Sequence, residues 1–215
     1  MPFIGNKYQC NICNKKIRSL IHLYNDRICP RCGSLQRTRR LWYILNREFL
    51  SNAQKILDFS PSRNLYRLMK KGDYEYVSSD ISGDFISDVS YDIKDIDSAD
   101  RSFDLMICYH ILEHIDDDLK AMSELWRVLK KGGYCIVQTP FKEGAIYEDD
   151  SITLPEEREK HFGQSDHVRI YSAEGLRSRL ERAGFRVEVR NYSEKYENVH
   201  GFSKQETILI CHKPE

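Results

Sequence analysis

The chain has 215 residues, with 33 Lys/Arg balanced by 33 Asp/Glu and a hydrophobic share of 40%, enough for one sizeable α/β domain with a small appendage and too little for two full domains. No apolar run approaches the roughly 20 residues of a membrane span, and Met1 to Asn6 lacks the basic region and apolar core of a secretory signal, so a cytoplasmic location without a membrane partner is expected. The charge is unevenly spread: residues 1–55 carry eleven Lys/Arg against Asp26 and Glu48, a net of +9 that leaves −9 on the remainder. Such asymmetry points to an acidic partner for the first segment, or to a solvated basic face.

Cys10-Asn-Ile-Cys13 and Cys29-Pro-Arg-Cys32 repeat one C-x2-C spacing with fifteen residues between the pairs. Each is a knuckle sequence, a tight turn that aims two thiolates at one metal ion. Four sulfurs suit Zn2+, which is tetrahedral, redox-inert and able to fold a segment too small to build a core. A disulfide pair is the competing reading, disfavoured in a reducing compartment. A closed four-sulfur site has no open position for chemistry, so residues 1–33 read as a structural zinc ribbon. Cys108, Cys135 and Cys211 fall inside apolar strand patterns and read as small buried hydrophobes.

Ser34 is expected to open a docking helix through about Leu50, with Leu35, Thr38, Leu41, Trp42, Leu45 and Phe49 on one face and Arg37, Arg39, Arg40 and Arg47 mostly off it. With the polar join to Gln54, this segment spans residues 34–54. Lys55 to Phe59 reads as a strand, followed by Ser60 as helix cap and Pro61 at the first helical position. Tyr74 to Asp80 gives a second strand and Ile86 to Val89 a short third. From Ser102 to Phe141 two apolar runs flank an amphipathic pattern, which predicts a β-α-β crossover: a strand over Leu105 to Cys108, a helix capped by Asp116 with Leu119, Met122, Leu125, Trp126 and Leu129 inward, a turn at Gly132-Gly133, and a strand over Tyr134 to Gln138. Residues 142–169 form a long acidic connection. Ser172 precedes a last helix facing the sheet through Leu176 and Leu180.

The S-F-D-L strand, the Ile111-Leu-Glu-His-Ile115 elbow and the Leu129-Lys-Lys-Gly-Gly133 turn, taken at these distances, resemble the class I S-adenosylmethionine-dependent methyltransferases of the small-molecule type, over roughly residues 55–190. The resemblance implies a seven-stranded, mostly parallel, Rossmann-like α/β sheet over residues 55–215 and methyl transfer from S-adenosylmethionine. The family's glycine-rich loop belongs at Asp58-Phe59-Ser60-Pro61-Ser62, which holds no glycine and is similar to branches reading aromatic-small-Pro. Cofactor contacts are implied at Asp58, Phe59, Ser60, Pro61, Asp80, Ile81 and Cys108, with Asp80 on the ribose hydroxyls, and Asp92 and Ile93 on the adenine amino group and ring.

Tyr109 and His110 follow the fourth strand at its carboxyl end, where ligands bind in open α/β sheets; His114 reads as structural. The connection over 142–169 is expected to close over the cleft as a lid and present His167 as general base and Arg169 to an acidic group on the acceptor or to an acidic partner within the lid. Two acceptors are open, a small molecule or an RNA held by the basic N-terminal segment; the ribbon resembles that of ribosomal-RNA guanine methyltransferases. A different class of reading is a binding or regulatory protein that keeps the fold without turnover.

Overall fold

Two short antiparallel hairpins carry the paired cysteines in the computed structural model, which describes residues 3–193 and 198–215. β1 (Tyr8–Gln9) pairs with β2 (Lys16–Ile17), and β3 (Ile21–Leu23) with β4 (Asp26–Ile28). They bury a satellite cluster of Cys10, Ile12, Ile17, Leu20 and Cys29, too small to hold a fold by itself. α1 (Gln36–Ile44) follows and widens into a π-helical turn over Leu45–Phe49.

The helix face differs from expectation at two places. Ser34 does not cap α1; its hydroxyl lies 3.3 Å from the sulfurs of both Cys10 and Cys32. Arg39 and Arg40, predicted off the apolar face, are buried. Arg39 donates to the carbonyls of Ser34, Arg27, His200 and Gly201, so its guanidinium ties the hairpins to the loop between the last two strands. Arg40 lies over the rings of Tyr192 and Phe202, at 4.7 and 4.1 Å. Long side chains with a rigid donor fork find such carbonyl and aromatic partners wherever the packing offers them.

The rest alternates strand and helix: β5 (Lys55–Phe59), α2 (Arg63–Met69), β6 (Glu75–Ser79), β7 (Phe103–Tyr109), a 3-10 turn (Leu112–His114), α3 (Asp118–Val128), β8 (Leu129–Gln138), β9 (Tyr147–Glu148), α4 (Pro155–Phe162), β10 (Arg169–Ile170), α5 (Ala173–Arg182), β11 (Arg186–Ser193) and β12 (Gln205–His212). The main sheet runs β11-β12-β8-β7-β5-β6. β6, β5, β7 and β8 are parallel, and β12 is antiparallel to both its neighbours. One core, on α3 and α5, includes Leu57, Met106, Leu125 and Leu176; the other, under α1 and α2, includes Leu41, Ile56, Leu65 and Ile107. The three isolated cysteines are buried as expected.

Among the described residues the sheet has six strands, not seven. The segment expected as a third strand touches β6 through a single bridge, Ser79 to Val89, because Asp88 turns its carboxylate onto the Ser78 N–H and hydroxyl, both at 2.9 Å. α3 begins one residue later than predicted, with Asp117 accepting from the Lys120 N–H, and Leu119, expected to face inward, is exposed. α2 likewise starts after Ser62 rather than Ser60. Residues 142–169 are partly ordered by β9 pairing with β10 and by α4.

Candidate active site and four-cysteine centre

At the carboxyl ends of β5, β6 and β7 a cavity of about 460 Å³ opens, the size class of small-ligand sites and the edge where open α/β sheets bind ligands. Its walls come from Asp58 to Ser62, Asp80 to Ser82, Phe85, Tyr109 to Ile111 and His114, with Gln164 and Asp166 from the connection. Leu35, Arg37, Thr38 and Leu41 of the N-terminal helical segment close one side. A wider groove of about 850 Å³ lies at the opposite edge, before β5 and β6, lined by Asn52, Ala53, Asp73 and Tyr74; no strand carboxyl end faces it.

The glycine-free loop keeps a glycine-like backbone. Ser60 stands at φ +47°, the left-handed region that favours glycine, and its hydroxyl donates to Asp80 Oδ1 at 2.7 Å. Ser82 and the Gly83 N–H also donate to that carboxylate. Burial alone would raise the Asp80 pKa, but the hydrogen bonds from Ser60, Ser82, Phe85 and Gly83 hold it below its ordinary value, so it stays an anion able to accept hydroxyl groups. Asp58 is the reverse. Burial pushes it up to about 7, against a lowering hydrogen bond from Tyr76.

Tyr109 and His110 line the cavity as expected, but the Tyr109 hydroxyl is directed 3.3 Å onto Glu206. Burial raises Glu206 to about 7, with Arg40 at 3.6 Å opposing that shift. His167 and Arg169 are buried and neither lines the cavity. His167 stacks edge-to-face on His114 at 4.7 Å, and burial, then the His114 charge, lowers its pKa. The Arg169 guanidinium is consumed by Glu148 at 2.8 Å and by the carbonyls of Leu112, Ile115 and Asp116. It braces the elbow instead of facing an acceptor. Asp92, Ile93 and Cys108 also lie off the cavity: Asp92 caps the Lys94 N–H, while Ile93 and Cys108 belong to the core.

The four N-terminal cysteines converge. Their sulfurs all lie within 4.8 Å of one another, with Cys10 to Cys32 at 3.7 Å and Cys13 to Cys29 at 3.9 Å. A tetrahedron with metal–sulfur bonds of ~2.3 Å has edges of ~3.8 Å, so the donor set fits Zn2+, whereas a disulfide needs its sulfurs at about 2.05 Å.

The sequence matches the methyltransferase domain family over residues 36–189, more than half of the chain. The chain belongs to that family. A probable S-adenosylmethionine-dependent methyltransferase of Mycolicibacterium smegmatis is 31% identical over 96 residues, 45% of this chain and 34% of that protein. An uncharacterized protein of Methanocaldococcus jannaschii is 42% identical over 50 residues, 23% of this chain and 22% of its own length. The chain thus spans about a third and about a fifth of the lengths of these two curated relatives. Among solved structures, an Archaeoglobus fulgidus SAM-dependent methyltransferase superposes with a TM-score of 0.61 at 19% identity, covering 83% of this chain and 94% of that one. The [4+2]-cyclase SpnF superposes with a TM-score of 0.58 at 15% identity, covering 82% and 81%. Likeness at such identity shows the fold alone, and one fold carries more than one chemistry.

For this methyltransferase domain the family match begins at Gln36, inside the segment read as a docking element, and the structure agrees in placing α1 against the cavity. Four residues escaped the sequence reading: Thr38 and Leu41 as wall residues, Glu206 as the partner of Tyr109, and Glu113 as a buried acid. For Glu113 a signal existed, since an acid between Leu112 and His114 breaks an apolar elbow.

Proposed function

We propose that the protein transfers a methyl group from S-adenosylmethionine to a small-molecule acceptor, with Zn2+ as a structural ion in the four-cysteine centre. The observation that carries this reading is the cavity at the carboxyl ends of β5 to β7, where the left-handed turn at Ser60 and the anionic Asp80 meet. Asp58 to Pro61 would cradle the cofactor's amino-acid end. Asp80 would take the ribose hydroxyls, which exchange for the Ser82 hydroxyl now on that carboxylate, and Ile81 and Phe85 would flank the base. The bound cofactor supplies an electrophilic methyl; the acceptor's lone pair forms the new bond to carbon while the carbon–sulfur electron pair stays on sulfur. The protein's share is to orient the acceptor and to receive its proton. We assign that to His110, which lines the cavity; its Nε2 is buried without a hydrogen-bond partner among the described residues, so a rotation of the ring must expose it to the acceptor.

The RNA reading rests on the exposed Lys7, Lys15, Lys16 and Arg18, but Arg39 and Arg40 are spent inside the fold. The test is calorimetry with S-adenosylmethionine and its demethylated product, then with Asp80→Ala, for which the lost bonds to a charged group should weaken binding by about 1.5–3 kcal/mol. No heat from either compound at high concentration would favour a fold kept without turnover. Strong RNA binding that falls with salt would favour the nucleic-acid acceptor.

A further inference from the structure

The turn after β7 buries a carboxylate whose nearest charged neighbour is an imidazole, the His110 ring. Glu113 is only 1% exposed, and neither of its oxygens has a hydrogen-bond partner among the described residues. An ionised carboxylate so placed is costly unless a cation lies against it. Three histidines surround it. His110 brings Nδ1 to 3.2 Å from Glu113 Oε1, while His114 and His167 meet edge to face beside it. His167 Nδ1 lies 3.2 Å from the Phe162 carbonyl; a carbonyl can only accept, so the proton belongs on Nδ1 and Nε2 keeps its lone pair. His114 is anchored in the same way, its Nδ1 3.0 Å from the Asp166 carboxylate. Anchoring one ring nitrogen to a carbonyl or carboxylate is how proteins orient imidazoles that ligate through the other. One ligand atom each from Glu113, His114 and His167 fall within 4.8 Å of one another, a triangle that an ion with bonds of ~2.1 Å closes by small side-chain movements.

From this the geometry assigns Glu113, His114 and His167 as a second metal site, a two-histidine, one-carboxylate set for a divalent first-row transition ion. It is separate from the four-cysteine centre, whose thiolates select zinc. His114 also lines the cavity, so the ion borders the acceptor space and suits an acceptor with adjacent oxygen atoms. That last step rests on the proposed methyl transfer; ion binding does not.

The probe is Mn2+, which prefers nitrogen and oxygen donors and leaves the thiolates to zinc. Zinc-replete protein is titrated with Mn2+ while the free ion is followed by electron paramagnetic resonance, and one bound ion per chain is expected. Glu113→Gln and His167→Gln should each weaken binding roughly tenfold or more, and a change at the exposed lid acid, Asp149→Asn, should leave it unaltered. Mn2+ should also raise the melting temperature of the parent protein but not of Glu113→Gln. If that variant fails to fold, His114→Asn gives the same reading. The assignment is overturned if the parent protein retains no Mn2+ at millimolar concentration, or if Glu113→Gln binds as the parent does. Cofactor calorimetry on the same samples separates the two ideas: cofactor heat without Mn2+ uptake removes the metal site alone, and Mn2+ uptake without cofactor heat removes the methyl-transfer reading alone.

Discussion

Ser60 carries two opposed effects that a pair of substitutions can separate. Its left-handed backbone costs a non-glycine residue roughly 1–2 kcal/mol, while its hydroxyl gives Asp80 a charge-assisted bond. Ser60→Gly and Ser60→Ala both lose the bond, and only Ala keeps the backbone cost. Glycine should therefore be the more stable of the two, by about 1 kcal/mol in denaturant unfolding; equal stabilities would mean the turn relaxes in solution. The residues legible from the sequence were those whose pattern is itself the signal, the doubled C-x2-C and the acid after the second strand. Asp80 and the four cysteines stand where that pattern put them. Arg169 met the acidic partner within the connection, Glu148, and not the cavity, and His167 turned inward, because periodicity and loop position say nothing about which carbonyls a buried guanidinium or imidazole will meet.

α1 shows the same limit one level up. Its apolar repeat predicted the helix and its inner face, yet the repeat counted arginines as outward, and Arg39 and Arg40 are what fasten that helix to the rest. Arg39→Lys retains a charge but cannot reach four carbonyls at once, and should cost about 3 kcal/mol, the scale of breaking a buried charged network; denaturant midpoints test it. Gly201, which receives one of those bonds, has φ +65° and approaches Leu20 so closely that an added Cβ would sit 2.3 Å from its Cδ1, so Gly201→Ala should loosen the same joint. Glu206, under Arg40, makes a pH prediction. Its folded pKa of about 7 exceeds its ordinary value, so between about pH 4.5 and 7 the folded state holds a proton the unfolded state has released, and stability falls as pH rises through that window. Glu206→Gln cannot ionise and should flatten the fall, read as melting temperature against pH. Asp58 acts with the same sign, so a residual slope is expected.

At the level of the whole molecule, the sheet class was legible because buried parallel strands and an amphipathic crossover repeat over many residues, whereas the missing seventh strand turned on a single side chain, Asp88. The same view makes the metal centre relevant to the cleft it never touches. Ser34 links the thiolates to Arg39, and the segment just beyond it supplies Leu35, Arg37, Thr38 and Leu41 to the cavity wall. A zinc chelator should therefore lower both the melting temperature and the cofactor affinity, with partial recovery on adding Zn2+; unchanged affinity in metal-free protein would show that α1 docks without the ribbon. No helix among the described residues is long and apolar enough to cross a membrane. Finally, the contacts that seat the ribbon join Gln9 to Val199 and Arg39 to His200, the latter pair 161 positions apart. During synthesis at the ribosome the hairpins can capture their ion as soon as Cys32 emerges, but the surface they dock on is not finished until the loop before β12 has been made. With the proposed ion bound, the nascent chain would carry a closed knob without a seat for most of its translation, and Trp42 and Leu68, which pack against it, would stay available to chaperones until the last strands close.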